Sequence, residues 1–145
     1  MIPERYAPTT YALFRIVFGF VFLCFGLQKM FGWLGGNAAP LMTMQGAAGV
    51  IETVTGFLIM IGFLTQFAAF IASGEMAVAF FYVHVGVIAM GQGGAGLPNG
   101  LHPLLNMGER ATLFCFAFLY IASRGAGIWS VDGARTRTPA RAAAA

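Results

Sequence analysis

The chain has 145 residues, 59% of them hydrophobic and 9% charged, with a mean hydropathy of +0.79. Average soluble domains carry about 25% charge, and a core this small could not hide so much apolar surface from water, so lipid is the solvent the composition fits. The length suits one domain; the formal charge is only +3, and no basic-aromatic patch points to nucleic acid.

In chain order, residues 1–10 form a short N-terminal segment. The apolar run from Tyr11 to Phe31 is longer than the h-region of about 7–15 residues in a signal peptide. Asn37 also spoils the small-residue pattern before a cut after Ala39, so a retained helix is expected. Four stretches approach the roughly 20 residues needed to cross a hydrocarbon core of about 30 Å: residues 12–31, 46–63, 66–89 and 105–123. Gly35, Gly36, Asn37 and Pro40 break the chain between the first two. Leu64 and Thr65 make a tight turn. Residues 90–104, rich in glycine and proline, form a long irregular loop. Only helices or closed barrels satisfy their backbone in lipid. The expected fold is therefore all-α, an integral membrane antiparallel four-helix bundle running up-down-up-down over residues 11–132. Residues 133–145 read as a disordered Arg/Ala-rich tail.

The two long loops carry no Lys or Arg, whereas Arg124, Arg135, Arg137 and Arg141 cluster near the C-terminus. Positive charge stays inside, so both termini are expected in the cytoplasm. Trp33 and Trp129 fall just past helix ends, as interfacial anchors. The tail arginines serve as a topology signal or touch anionic lipid headgroups. Cys24 and Cys115 lie in apolar runs without a CxxC. They are buried free thiols or a redox pair, and no metal site is indicated.

Ionisable residues inside the spans define the candidate site, because each is costly in lipid unless paired. At about 1.5 Å per residue, Lys29, Glu52, His84, Glu109 and Arg110 all fall in the outer half, while Arg15 and Glu75 lie nearer the cytoplasm. Helical side chains lean toward their own N-terminus. Lys29 and Glu52 should therefore converge, as should His84 and Glu109, and a long Arg15 could reach Glu75. Arg15, Gly19, Phe22, Gly26 and Lys29 share one seam, and Gly49, Glu52 and Gly56 share another, with small residues allowing close helix contact. On a straight α-helix Glu75 and His84 sit about half a revolution apart, so one of them should face elsewhere. Arg110 is expected to reach the interface. All these pairs also admit a purely structural reading, as fixers of helix register.

The residues resemble the DoxX family of small bacterial four-helix membrane proteins over about residues 13–132. The motifs are Arg15 with "GFVFLCFGLQKMFG", "GVIETVTGFLIMIGFLT", "GEMAVAFFYVH" with Glu75 and His84, and "NMGERATLFCFAFL" with Asn106, Gly108 and Glu109, followed by "WSVD". Thr55 stands where the family often has glycine. The family is similar to subunits of thiosulfate:quinone oxidoreductase, and some members are thought to sit in complexes handling sulfur or oxidative stress. The resemblance implies a subunit or accessory of a quinone-linked membrane oxidoreductase with protein partners, a homo-oligomer being a further option. No covalent cofactor is indicated, and a quinone is the expected ligand. His84 or Glu109 would carry protons, Lys29 would stabilise negative charge on the reduced ring, and Glu52 would tune Lys29, with Asn106, Arg15 and Glu75 completing a buried polar cluster. Two alternatives remain: a non-catalytic membrane scaffold or assembly subunit, and a small-solute carrier.

Overall fold

A computed structural model describes residues 3–85 and 99–137. Among them every regular element is helical: α1 (Ala7–Phe31), α2 (Met44–Ile61), α3 (Thr65–Ala79) continuing into a π-helical turn (Phe80–His84), α4 (Glu109–Arg124) and a short α5 (Val131–Arg137), with 3-10 turns at Glu4–Tyr6 and Asn99–Leu101. Local chemistry sets the ends. α1 has proline in its first turn and stops at Gly32, whose φ of 68° glycine adopts without strain. Thr43 caps α2 by accepting the Gly46 N–H at 3.1 Å. Gly62, at φ 72°, closes it.

Three helical stretches are long and apolar enough to cross a membrane: Glu4–Phe31, Met44–Ile61 and Thr65–His84. The fourth expected span differs. Helix α4 has 16 residues and begins at Glu109, four positions later than the hydropathy suggested. The cause is Asn106, whose Oδ1 accepts the Gly108 N–H at 2.8 Å while its amide donates to the Gly100 carbonyl. Such side-chain to backbone bonds compete with the helix. Met107 takes a left-handed φ of 58° between them. The third expected span reached residue 89; residues 86–89, and most of the glycine-rich loop after them, lie outside the described residues.

Helices α1 and α2 pack backbone to backbone. A Cβ on Gly19 would stand 2.6 Å from the Met60 nitrogen, and one on Gly26 would strike the Thr53 backbone. Gly56 has the same relation to Leu23. Both glycine seams read from the sequence are thus buried against each other. The contact runs antiparallel, since Arg15 near the start of α1 meets Ile59 near the end of α2, and Lys29 meets Glu52. Helices α3 and α4 also oppose each other, with Ser73 Oγ donating to the Cys115 carbonyl at 2.8 Å and Gln66 Nε2 to that of Ala122 at 3.2 Å. Aromatic rings join α1 to α4. Phe22 lies 4.6 Å from Phe118, both fully buried, and Phe18 lies 5.4 Å from Phe114. Phe67, Phe70, Leu113 and Phe116 point outward, each more than 60% exposed. Rings presented this way suit hydrocarbon rather than water.

A long-range clamp ties the start of α5 to the start of α3. Residues 133–137 continue helix α5; residues 138–145 lie outside the described residues. Asp132 reaches back 67 positions to cap α3, accepting the Leu64 and Thr65 N–H groups at 3.1 and 3.0 Å and the Thr65 hydroxyl. Burial opposes its charge, but those hydrogen bonds and nearby Arg135 outweigh that opposition and hold its carboxyl below the usual range. Stability from a carboxylate shifted downward is complete above the unfolded value of about 3.9 and disappears as pH falls through the folded one. Asp132→Asn is therefore expected to lower detergent-solubilised stability by about 1 kcal/mol at pH 7. The gap from wild type should close once the pH is below both values. Thermal melts at the two pH values check this, and a constant gap would exclude the charge as the cause.

Candidate functional site

Beside the α1–α2 seam, residues of α1, α2, α3 with its π-helical turn, and α4 line a cavity of about 630 Å³. Its lining includes the apolar Phe22, Phe25, Met76 and Phe114 and the polar Gln28, Lys29, Gln45, Glu52, His84 and Arg110. Lys29 Nζ donates to Glu52 Oε1 at 2.6 Å, the contact expected from opposite side-chain leans. Glu52 is 2% exposed, and its second oxygen, Oε2, is buried without a hydrogen-bond partner.

Glu75 does not meet Arg15. It interacts electrostatically with Glu52 and Lys29 instead, and its Oε2 is likewise buried and unpartnered. Arg15 is fully buried at the other end of the α1–α2 pair. Its guanidinium donates to the carbonyls of Ile59 (2.7 Å), Met60 (3.0 Å) and Trp129 (2.7 Å). The physical reason is the C-terminus of α2, where the last carbonyls lack helical partners and carry the negative end of the dipole. A planar fork of donors satisfies several of them at once.

His84 lines the cavity and Glu75 is not among the lining residues. A π-helical turn lies between them. Its wider i to i+5 spacing advances each residue by less than the α-helical 100°, rotating Tyr82, Val83 and His84 toward the same space. His84 and Glu109 form no ion pair; among the described residues the pair within 4 Å is Lys29–Glu52. The partner of His84 is the Asn106 carbonyl, 3.0 Å from Nδ1. A carbonyl only accepts, so Nδ1 carries the hydrogen and Nε2 is left as the ring's acceptor. The late start of α4 is again responsible, because it leaves the Asn106 carbonyl outside the helix. Glu109 occupies the first turn of α4, where negative charge is favoured. Its Oε2 is buried without a partner. Asn106, 4% exposed, ties the loop to the head of α4.

Arg110, counted with the outer-half cluster and expected to reach the interface, is exposed and borders the cavity, with its guanidinium 5.7 Å from the Phe25 ring centre. Gln28, Gln45 and Tyr82 were not singled out. Gln28 directly precedes Lys29, and that adjacency was the available signal. Cys24 and Cys115 are both free thiols.

Together the apolar helices and the polar, aromatic-walled cavity define a small helical membrane protein with an internal amphipathic pocket. A model of the DoxX family matches residues 10–85, and the chain belongs to that family. An uncharacterized protein of Haemophilus influenzae is 39% identical over 133 residues, covering 89% of this chain and 92% of its own length. No solved structure matches.

Proposed function

We propose that this DoxX protein is a quinone-binding subunit or accessory of a membrane oxidoreductase in the bacterial inner membrane, working with protein partners on sulfur or redox-stress chemistry. In this reading the chain is an up-down-up-down bundle with both termini in the cytoplasm, and the cavity lies in the outer half. The observation that carries the proposal is the lining of the cavity. Aromatic rings offer stacking surfaces for a planar headgroup, and Lys29, Arg110 and the glutamines supply donors to ring oxygens. The volume falls within the range of small-molecule sites, about 300–1,000 Å³. A quinone supplies reversible two-electron redox chemistry when bound. The chain's own residues would orient the ring, keep bulk water out and, at His84 Nε2, hold or release a proton. Glu109, which does not border the cavity, would influence that exchange only through the loop and the head of α4.

Gentle purification with native partners, followed by extraction of bound lipids, tests the proposal. Quinone is expected at near-stoichiometric amounts. Quinone no more enriched than in the surrounding membrane would count against it. For topology, a reporter fused after Ala145 is expected in the cytoplasm and one inserted at Gly94 outside; the reverse result would invert the site's depth.

A scaffold reading has one specific observation in its favour. The Lys29–Glu52 pair bridges the same α1–α2 seam that the glycines close. A scaffold needs no occupant in the cavity, so the same extraction separates the two.

A further inference from the structure

The cavity's hydrogen-bonding inventory is unbalanced. Glu52 lines it, is 2% exposed, and uses only one oxygen, Oε1, on Lys29. Oε2 has no partner. The neighbouring Glu75 adds a second buried oxygen without one. A carboxylate accepts hydrogen bonds and donates none, and leaving such an acceptor unmet in an apolar interior is costly. What belongs opposite Glu52 Oε2 is therefore a donor. A quinone ring presents only carbonyl oxygens, which would face the carboxylate lone pair to lone pair. A ring bearing hydroxyls presents O–H groups, and O–H to carboxylate bonds are among the stronger ones.

We infer that the pocket selects the reduced, dihydroxy form of its aromatic ligand, with Glu52 Oε2 accepting a ring hydroxyl beside the Lys29 contact. The inference rests on the quinone-site reading above and adds which redox form the site prefers. Glu52 acquires a role separate from pairing with Lys29: one oxygen holds the helix seam and the other reads the ligand. The ring's apolar faces would lie against Phe25 and Phe114, which also line the cavity.

The test uses the full chain in lipid nanodiscs under anaerobic conditions, with three probes of similar shape: a short-chain alkylhydroquinone, its dimethyl ether and the matching benzoquinone. Wild type is expected to bind the hydroquinone roughly tenfold or more tightly than either of the others, the range for one charge-assisted hydrogen bond. Glu52→Gln keeps the shape and removes the charge, and the preference should collapse toward parity. A preference retained in a folded Glu52→Gln protein would overturn the assignment to that carboxylate. If the variant does not fold, the wild-type series decides alone, because the benzoquinone lacks the donors at nearly the same size and the ether lacks them while adding two methyl groups. Equal binding of all three, or tighter binding of the benzoquinone, would overturn the inference while leaving a quinone pocket in place. Failure of every probe to bind would remove the pocket reading as well.

Discussion

Replacing Glu52 by alanine is expected to destabilise the protein by about 3–5 kcal/mol, the usual consequence of stranding one member of a buried ion pair. Lys29 would lose its 2.6 Å acceptor and keep its charge among apolar helices. Lys29→Ala should cost at least as much as Glu52→Ala, because it strands a glutamate side chain that is 3% exposed, whereas the lysine left behind by Glu52→Ala is 33% exposed. The double variant should recover part of the loss, leaving a coupling energy of about 1 kcal/mol or more between the sites. Unfolding in mild detergent, followed by circular dichroism, gives all four corners of the cycle. Strict additivity would mean that the contact contributes nothing to stability.

The second large effect is at the opposite end of the same helix pair. Arg15→Ala is expected to lower stability by about 3 kcal/mol or more, since hydrogen bonds to charged groups contribute about 1.5–3 kcal/mol each. Arg15 donates to carbonyls of α2 and of the segment before α5, tying the two together. Losing it also frees the strand of chain that delivers Asp132 to the head of α3. Arg15→Lys should restore only part of the loss. An ammonium keeps the charge but cannot spread donors across Ile59, Met60 and Trp129 together. Full rescue by lysine, measured in the same unfolding experiment, would show that charge rather than the planar fork is what matters.

Much of this architecture was legible in the residues. The 4-3-4-3 spacing of Arg15, Gly19, Phe22, Gly26 and Lys29 located the buried seam of α1, because helical periodicity is a local property. Opposite side-chain leans located the Lys29–Glu52 contact for the same reason. The errors came from positions where backbone chemistry overrode the period. Asn106 delayed α4 by bonding its own neighbourhood, and hydropathy does not register that competition. A constant 100° per residue set Glu75 and His84 half a revolution apart without deciding which faced the core; of the two, His84 borders the cavity. Arg15 was assigned an acidic partner, and helix-end carbonyls satisfied it instead. Asp132 was visible within "WSVD", yet a cap acting across 67 positions is a tertiary fact.

The central claim is that the aromatic-walled cavity, rather than the lipid-facing surface, takes a quinone-type ring. Photolabelling tests it most directly. The full chain in nanodiscs is irradiated with an azido-quinone, digested and mapped by mass spectrometry. Labels are expected on Phe25, Met76 and Tyr82, with competition by excess unmodified quinone. Labels confined to the outward rings Phe67, Phe70 and Phe116, and unaffected by competitor, would mean that the quinone merely shares the bilayer with the protein, contradicting the account.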